Sequence, residues 1–527
     1  MSLDLEWNRV RVATHVDQVT LRAARPPQLT GRARRNSMLT MLAIGSRRLA
    51  CVGIAVAIAM AAACSSDGGD ARDSLPRLAA AGRDIVDPAG QVVKLRGVNL
   101  GSWLFHENWI SNVDYPLHGR IHVLAPESGI ASEADAALRE VGPSGADGWL
   151  DRFRGALAAR VDTERSDTFL AEVAQYPVVF DDSDQRMRAL LEERFGIDGR
   201  DELLDVFWGS WIREPDIAWV ASQGFNVVRV PMTYRSLVVA SDRSVPDSLV
   251  WNEAAFRRID ELLSWCDRHG VYAVLDLQES IGGHNDYAGP PELYTDPRDQ
   301  ELTIALWEEI ARRYARRSVV AAYSLLAEPF GAPDAAARDA MYDRLVKAIR
   351  ARGDDHLLVI HDGFFGVWTL PQPEAFGWTG VVYSTHLFEF GVENALEYQL
   401  LFALYDVLFN QAQARQQVPY YIGSFSTFQD ADFAYRGAEL ATQLFNRSGW
   451  SWSVWTLKRI DDPIDQELFG TTTSWGVLGR LESVLDRPDL YRDSFETLSR
   501  KLAAYADLAL APNERLRAIL ANAAHAP

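Results

Sequence analysis

The chain has 527 residues, 48% of them apolar, with sixteen Trp and a net charge of −19. That length and apolar share support one large domain or two ordinary ones, with a sizeable core. Residues 1–63 hold nine Arg against three acidic residues, so the rest carries −25, a surface that repels phosphate backbones and excludes a nucleic-acid partner.

The first segment reads as an address rather than as fold. In "SRRLACVGIAVAIAMAAAC", Arg47 and Arg48 precede an apolar run, and small residues precede Cys64. The run is too short for a transmembrane helix and has the order of a secretion signal. The "MAAAC" junction, followed by "SSDGGD", resembles a bacterial lipobox, which implies lipidation of Cys64 after cleavage. The expected product is exported, held in the bacterial envelope or secreted, and meets a membrane only through that lipid. Residues 64–83 read as a tether.

Cys51 and Cys64 belong to this region, which leaves Cys266 in the folded part. It shares one helical face with Phe256, Ile259, Leu262 and Leu263, so it reads as a buried small hydrophobe. Neither C-x-x-C nor H-E-x-x-H occurs and the ten His are scattered, so no metal and no cofactor is expected.

From Val92 onward, short β-rich runs alternate with longer amphipathic stretches. The runs are "VVKLRGVNL", "NVVRVPM", "VYAVLDL", "VVAAYSLL", "LLVIHDG", "VVYSTHLF", "PYYIGSF" and "WSVWTLK"; helical patterns cover 253–269, 299–317, 334–352, 393–416 and 432–448. Eight apolar runs with helices between most of them predict an α/β fold, a (β/α)8 TIM barrel over 84–510. An open doubly wound sheet is the alternative, but no glycine-rich phosphate turn follows the first run. Residues 104–211 interrupt the alternation after strand one, where an insertion roofs the active face of a barrel. Residues 511–527 read as a C-terminal tail, and the whole as a monomer.

Chemistry in such barrels gathers where strands end. Those ends carry Arg229, Gln278, Glu328, His386, Ser424 and Trp455. Six motifs, "LRGVNLGSWL", "GFNVVRVPM", "LLAEPFG", "THLFEF", "YIGSF" and "SVWTLK", stand in the order of glycoside hydrolase family 5. Over roughly residues 84–505 the chain resembles that family, most strongly its exo-β-1,3-glucanase and cellulase branches.

The resemblance implies roles by position. Glu328 matches the acid/base that protonates the departing glycosidic oxygen. Arg229 matches an arginine that orients active-site carboxylates, His386 the His of an H-x-Y element, and Trp455 a platform beneath the sugar. Glu107, in "HENWI", matches a glutamate that grips a terminal sugar's hydroxyls. Three positions depart from the pattern: Ser424 stands where the nucleophilic Glu belongs, Ala327 replaces the Asn of N-E-P, and Gln278 replaces a His.

A retaining glycosidase needs two carboxyls about 5–5.5 Å apart. A serine hydroxyl is neutral at pH 7, and the sequence offers no triad-like base to activate it. Glu279, Glu389, Asp430 and Asp432 are the nearby carboxylates that could substitute, and strand alternation turns the first two away from the pocket. The reading is an exported protein acting on a β-glucan or related β-glycoside with impaired or altered turnover. A catalytically silent sugar-binding lipoprotein is the alternative, and an envelope protein that contacts another protein through its roof is a third.

Overall fold

In the computed structural model the described residues are 74–526 apart from 114–120, 122–124, 126–127, 142–148, 176–182, 241–247, 286–289, 390, 428–430, 461–475, 482–484 and 491. Cys64 and Asp430 lie outside them. An antiparallel hairpin, β1 (Ala79–Ala81) with β2 (Asp84–Val86), precedes eight longer-range strands. These are β3 (Arg96–Asn99), β4 (Val227–Thr233), β5 (Tyr272–Glu279), β6 (Val320–Ser324), β7 (Leu357–His361), β8 (Val381–Phe388), β9 (Tyr420–Ser426) and β10 (Ser451–Val454). Each pairs in parallel with the next, and β10 returns to β3 with Trp452 opposite Arg96. The chain is a (β/α)8 TIM barrel.

Why these runs became barrel strands is visible in their burial. β4, β6, β7, β9 and β10 are buried along their whole length, because side chains of one parity fill the lumen and those of the other meet the helices. The lumen floor is apolar, built from Val227, Val274, Ala322, Val359, Val382 and Tyr421. Leu78 and Ile85 of the hairpin region join that cluster. The tether expected over 64–83 therefore ends earlier: Leu78 is buried, and Ser74 Oγ donates to Asp267 Oδ1 at 2.8 Å.

The helices start and stop on local signals. Asn252 accepts from Ala254 N and Ala255 N to cap Glu253–His269, and Gly270, at φ 67, ends it. Asp296 caps Pro297–Tyr314, Asp334 caps Ala335–Ala351, and Asn394 caps Ala395–Gln416. Residues 511–527 are more than a tail. The helix Glu514–Ala524 buries Leu516 and Leu520, and β12 (Leu510–Pro512) pairs with β11 (Leu478–Leu481).

The insertion divides in two. The helices Ala131–Val141, Trp149–Val161 and Thr163–Gln175 pack round a core of their own that includes Leu138, Phe153, Leu157 and Phe169. The helical stretch Ser183–Trp211, broken at Gly196 (φ 73), joins the barrel's core instead through Leu203, Phe207, Trp208 and Trp211. Trp211 Nε1 donates to Gly101 O at 2.9 Å and Trp103 Nε1 to Trp208 O at 2.8 Å. A buried pair at the mouth ties it further: Arg188 Nε meets Asp184 Oδ2 at 2.6 Å, and Arg188 also donates to Ser236 Oγ at 2.7 Å. No described helix is long and apolar enough to cross a membrane.

Candidate active site

Glu328 lies four residues beyond β6 and is 5% exposed. Two backbone devices set it there. Ala327 N donates to Leu277 O at 2.9 Å, and the Ala327 carbonyl meets His284 Nε2 at 2.6 Å. His284 Nδ1 accepts from Ser280 N, which puts the ring hydrogen on Nε2. Burial pulls His284 down to about 4, so this clamp is neutral at pH 7.

The carboxyl of Glu328 meets His386: Oε1 lies 2.5 Å from Nδ1. Burial, and then the nearby Arg229 charge, hold His386 well below the usual imidazole range. A neutral ring thus meets the carboxyl in a short, buried contact. His361, the last residue of β7, packs edge-on against His386 with ring centroids 4.3 Å apart. Its Nδ1 accepts from Gly363 N, and burial followed by His386 keeps it uncharged as well. His361 and His284 were missed in the sequence. The signal for His361 was present, because "LLVIHDG" ends a strand as "SLLAEPFG" does.

Arg229 is 1% exposed and fully engaged below the mouth. It donates to Asp276 Oδ2 at 2.8 Å, to Asn99 Oδ1 at 2.8 Å and to Gln278 Oε1 at 3.3 Å. Burial pushes Asp276 up, against the pull of Arg229. The carboxylate that Arg229 orients is thus Asp276, one alternation below Gln278 on β5, and not Glu328.

Across the barrel, β9 carries an extra residue. Thr385 stands opposite Ile422 but His386 opposite Ser424, so Gly423 is bulged out of register. Phe425 then points outward against Phe445 and Trp452, which turns Ser424 to the lumen side. Only glycine fits at the bulge: a Cβ on Gly423 would lie 2.9 Å from His386 Nε2 and 3.0 Å from Ser384 Oγ. Ser424 Oγ is buried and has no hydrogen-bond partner among the described residues.

The nearby carboxylates do not face Ser424. Glu279 accepts from Thr233 Oγ1 at 2.6 Å and from Arg235 Nε at 3.2 Å. Glu389 accepts from Tyr405 on the helix side at 2.6 Å. Asp432 is 93% exposed and pairs with Arg515. Asp362, a further acid at this end, accepts from Phe364 N at 3.1 Å and is pushed up to about 6 by burial.

The remaining expected residues line the mouth. Trp455 is buried, with its ring 6.5 Å from that of Trp109. Glu107 is buried at the start of the short helix Asn108–Ser111, and its N–H donates to Ser102 Oγ at 3.0 Å. Gln278 is half-buried. Left-handed backbone collects at the same end, at Ser102 (φ 58), Asn112 (φ 53), Glu328 (φ 52) and Phe364 (φ 60). No described cluster of His, Cys, Asp and Glu has the makings of a metal site.

The structure is a closed parallel barrel with a buried carboxyl–imidazole pair at its strand ends. The family model for cellulase (glycosyl hydrolase family 5) matches residues 195–459, half of the sequence, and the chain belongs to that family. It is 28% identical over 294 residues to a β-xylosidase of Phanerodontia chrysosporium, covering 55% of this chain and 46% of that protein. To glucan 1,3-beta-glucosidase 2 of Saccharomyces cerevisiae it is 28% identical over 192 residues, covering 32% and 34%. To cellodextrinase A of Ruminococcus flavefaciens it is 35% identical over 128 residues, covering 24% and 35%. The chain thus spans less than half the length of these curated relatives. Among solved structures, an endogalactoceramidase is 18% identical, with a TM-score of 0.48 over 81% of this chain and 85% of that one.

Proposed function

We propose that this protein is an exported, lipid-anchored member of family 5 that engages a β-glucan or related β-glycoside through its barrel mouth, with retaining turnover impaired. The observation that carries the reading is the pairing of Glu328 with neutral His386 at a strand end, opposite a wall whose corresponding position is Ser424. Glu328 is the proton donor to the departing glycosidic oxygen, His386 positions it, and Trp455 with Glu107 and Gln278 forms the sugar-binding surface. The export and the anchor at Cys64 rest on the leader and lipobox pattern. The anomeric carbon gains positive charge as the bond breaks, and a neutral hydroxyl offsets little of it. Ser424 therefore does not serve as a standard nucleophile.

The silent binder is the second reading, favoured by the outward engagement of Glu279, Glu389 and Asp432. One experiment separates the two. Residues 65–527 are assayed for release from aryl β-glucosides and for Trp-fluorescence quenching by β-gluco-oligosaccharides. Quenching with residual release that vanishes in Glu328→Gln supports impaired turnover and assigns the acid; quenching with no release at all supports the silent binder. Robust wild-type release that Glu328→Gln abolishes removes the binder, and absence of both signals removes both sugar readings.

A further inference from the structure

Among the described residues, eight large apolar side chains are exposed, and four of them lie on a single helix. Leu396 is 61% exposed, Leu400 64%, Leu404 52% and Val407 54%, all on Ala395–Gln416. A fifth, Trp368, belongs to the loop after β7 that packs on this helix: Gln416 Nε2 donates to Val367 O and Leu370 O, and Arg415 donates to Trp368 O. The opposite face of the helix is already satisfied by Tyr398, Phe402, Phe409 and Ala412, which are buried against the barrel. A helix apolar on both sides has one face without a partner among the described residues.

The outward face has a period. Leu396, Leu400, Ala403, Val407 and Ala414 fall at heptad spacing, with Leu404 beside them, and all six are exposed. From Leu396 to Val407 that is the spacing of a two-helix coiled-coil seam; the next position, Asn410, is half-buried and donates to Asp406 Oδ1 and Ser448 Oγ, and Ala414 follows it. Its ends are charged with opposite sign, exposed Glu393 before the helix and exposed Arg415 in its last turn. No Lys or Arg occurs between Gly391 and Ala414. A helix that lies in a bilayer surface carries basic residues along its polar flanks, and this one has a single Arg, in its last turn.

We infer that a second copy of this chain covers the stripe, the two Ala395–Gln416 helices crossing antiparallel about a two-fold axis near Leu404. Antiparallel pairing sets Glu393 of each copy beside Arg415 of the other at both ends of the seam; parallel pairing would set like charges together. A dimer differs from the monomer expected from the sequence. The inference is independent of whether the site turns over sugar, because no seam residue belongs to that site.

The test uses residues 65–527, which contain the whole compact unit Asp73–Pro527. In sedimentation velocity the wild type is expected to run as a dimer in the micromolar range. The double variant Leu400→Glu with Leu404→Glu is expected to run as a monomer with an unchanged melting temperature, since both side chains are exposed. Leu404→Cys is expected to give a disulfide-linked dimer under mild oxidation, because the two positions meet at the axis. Leu396→Cys is not, because its two copies lie about 24 Å apart along the seam. Cys266 is fully buried and does not interfere. A wild type that stays monomeric throughout, or a dimer indifferent to the glutamates, overturns the inference. So does wild-type cosedimentation with neutral phosphatidylcholine vesicles that the double variant loses, which would make lipid the occupant. A dimer that the glutamates split but Leu404→Cys fails to lock overturns the antiparallel register.

Discussion

On the β6–β8 wall of the candidate site the parts support one another. His284 holds the Ala327 carbonyl, His386 meets Glu328, and His361 packs edge-on beneath His386. On the β9 wall a bulge at Gly423 aims a residue into the lumen as carefully, but the residue it aims is Ser424, and its hydroxyl meets no described group. The two walls come from different strands and meet where His386 stands in register with Ser424. Chemistry can therefore be deleted from one while the scaffold of the other, and the bulge itself, stay in place.

The largest expected effect concerns the ion pair beneath both walls. Arg229→Met leaves Asp276 buried without its cation and Asn99 Oδ1 without a donor, and should destabilise the fold by about 3–5 kcal/mol in denaturant melts. A change under about 1 kcal/mol would mean that Asp276 is already protonated, as its burial favours.

Ser424→Glu addresses the difference between the walls directly. If that difference is the missing carboxylate alone, release from an aryl β-glucoside should rise by about two powers of ten, equivalent to ~2.7 kcal/mol in the barrier. A variant that folds but gains nothing would show that Ala327 and Gln278 matter as much as the nucleophile.

The smallest effect is a pH dependence on the donor wall. Asp362 has a folded value of about 6, above the unfolded value near 3.9, so between those limits the folded state holds more proton. Its contribution is most favourable below about pH 4 and is lost as pH rises through 6. Asp362→Asn should therefore match the wild type near pH 4 and exceed it by roughly 2 kcal/mol at pH 7. Urea melts across that range measure the gap; a constant gap would exclude the titration.

What the sequence made legible follows from what is local. Glu253–His269 was bounded to the residue because Asn252 and Gly270 cap it within its own turns. "VVYSTHLF" matched β8 end to end because its β-branched and aromatic residues, Val381, Val382, Tyr383, Thr385 and Phe388, favour a strand from one end to the other. The pairing of Arg229 with Asp276 was not legible, since two in-facing side chains on neighbouring strands carry no mark of which neighbour each will choose. The His284 clamp was missed for a related reason: its partner is a backbone carbonyl 43 residues away. The division of the insertion was hidden too, because the apolar patterns of its helices do not say whether they face one another or the barrel.

The left-handed backbone at Glu328 has a consequence for how long a silent fold would keep it. A side chain in that conformation costs about 1 kcal/mol or more relative to glycine, which adopts it freely. Every generation of this molecule is therefore folded with a tax on stability levied at the carboxyl that meets His386. A barrel with no further use for acid would become tougher by surrendering it.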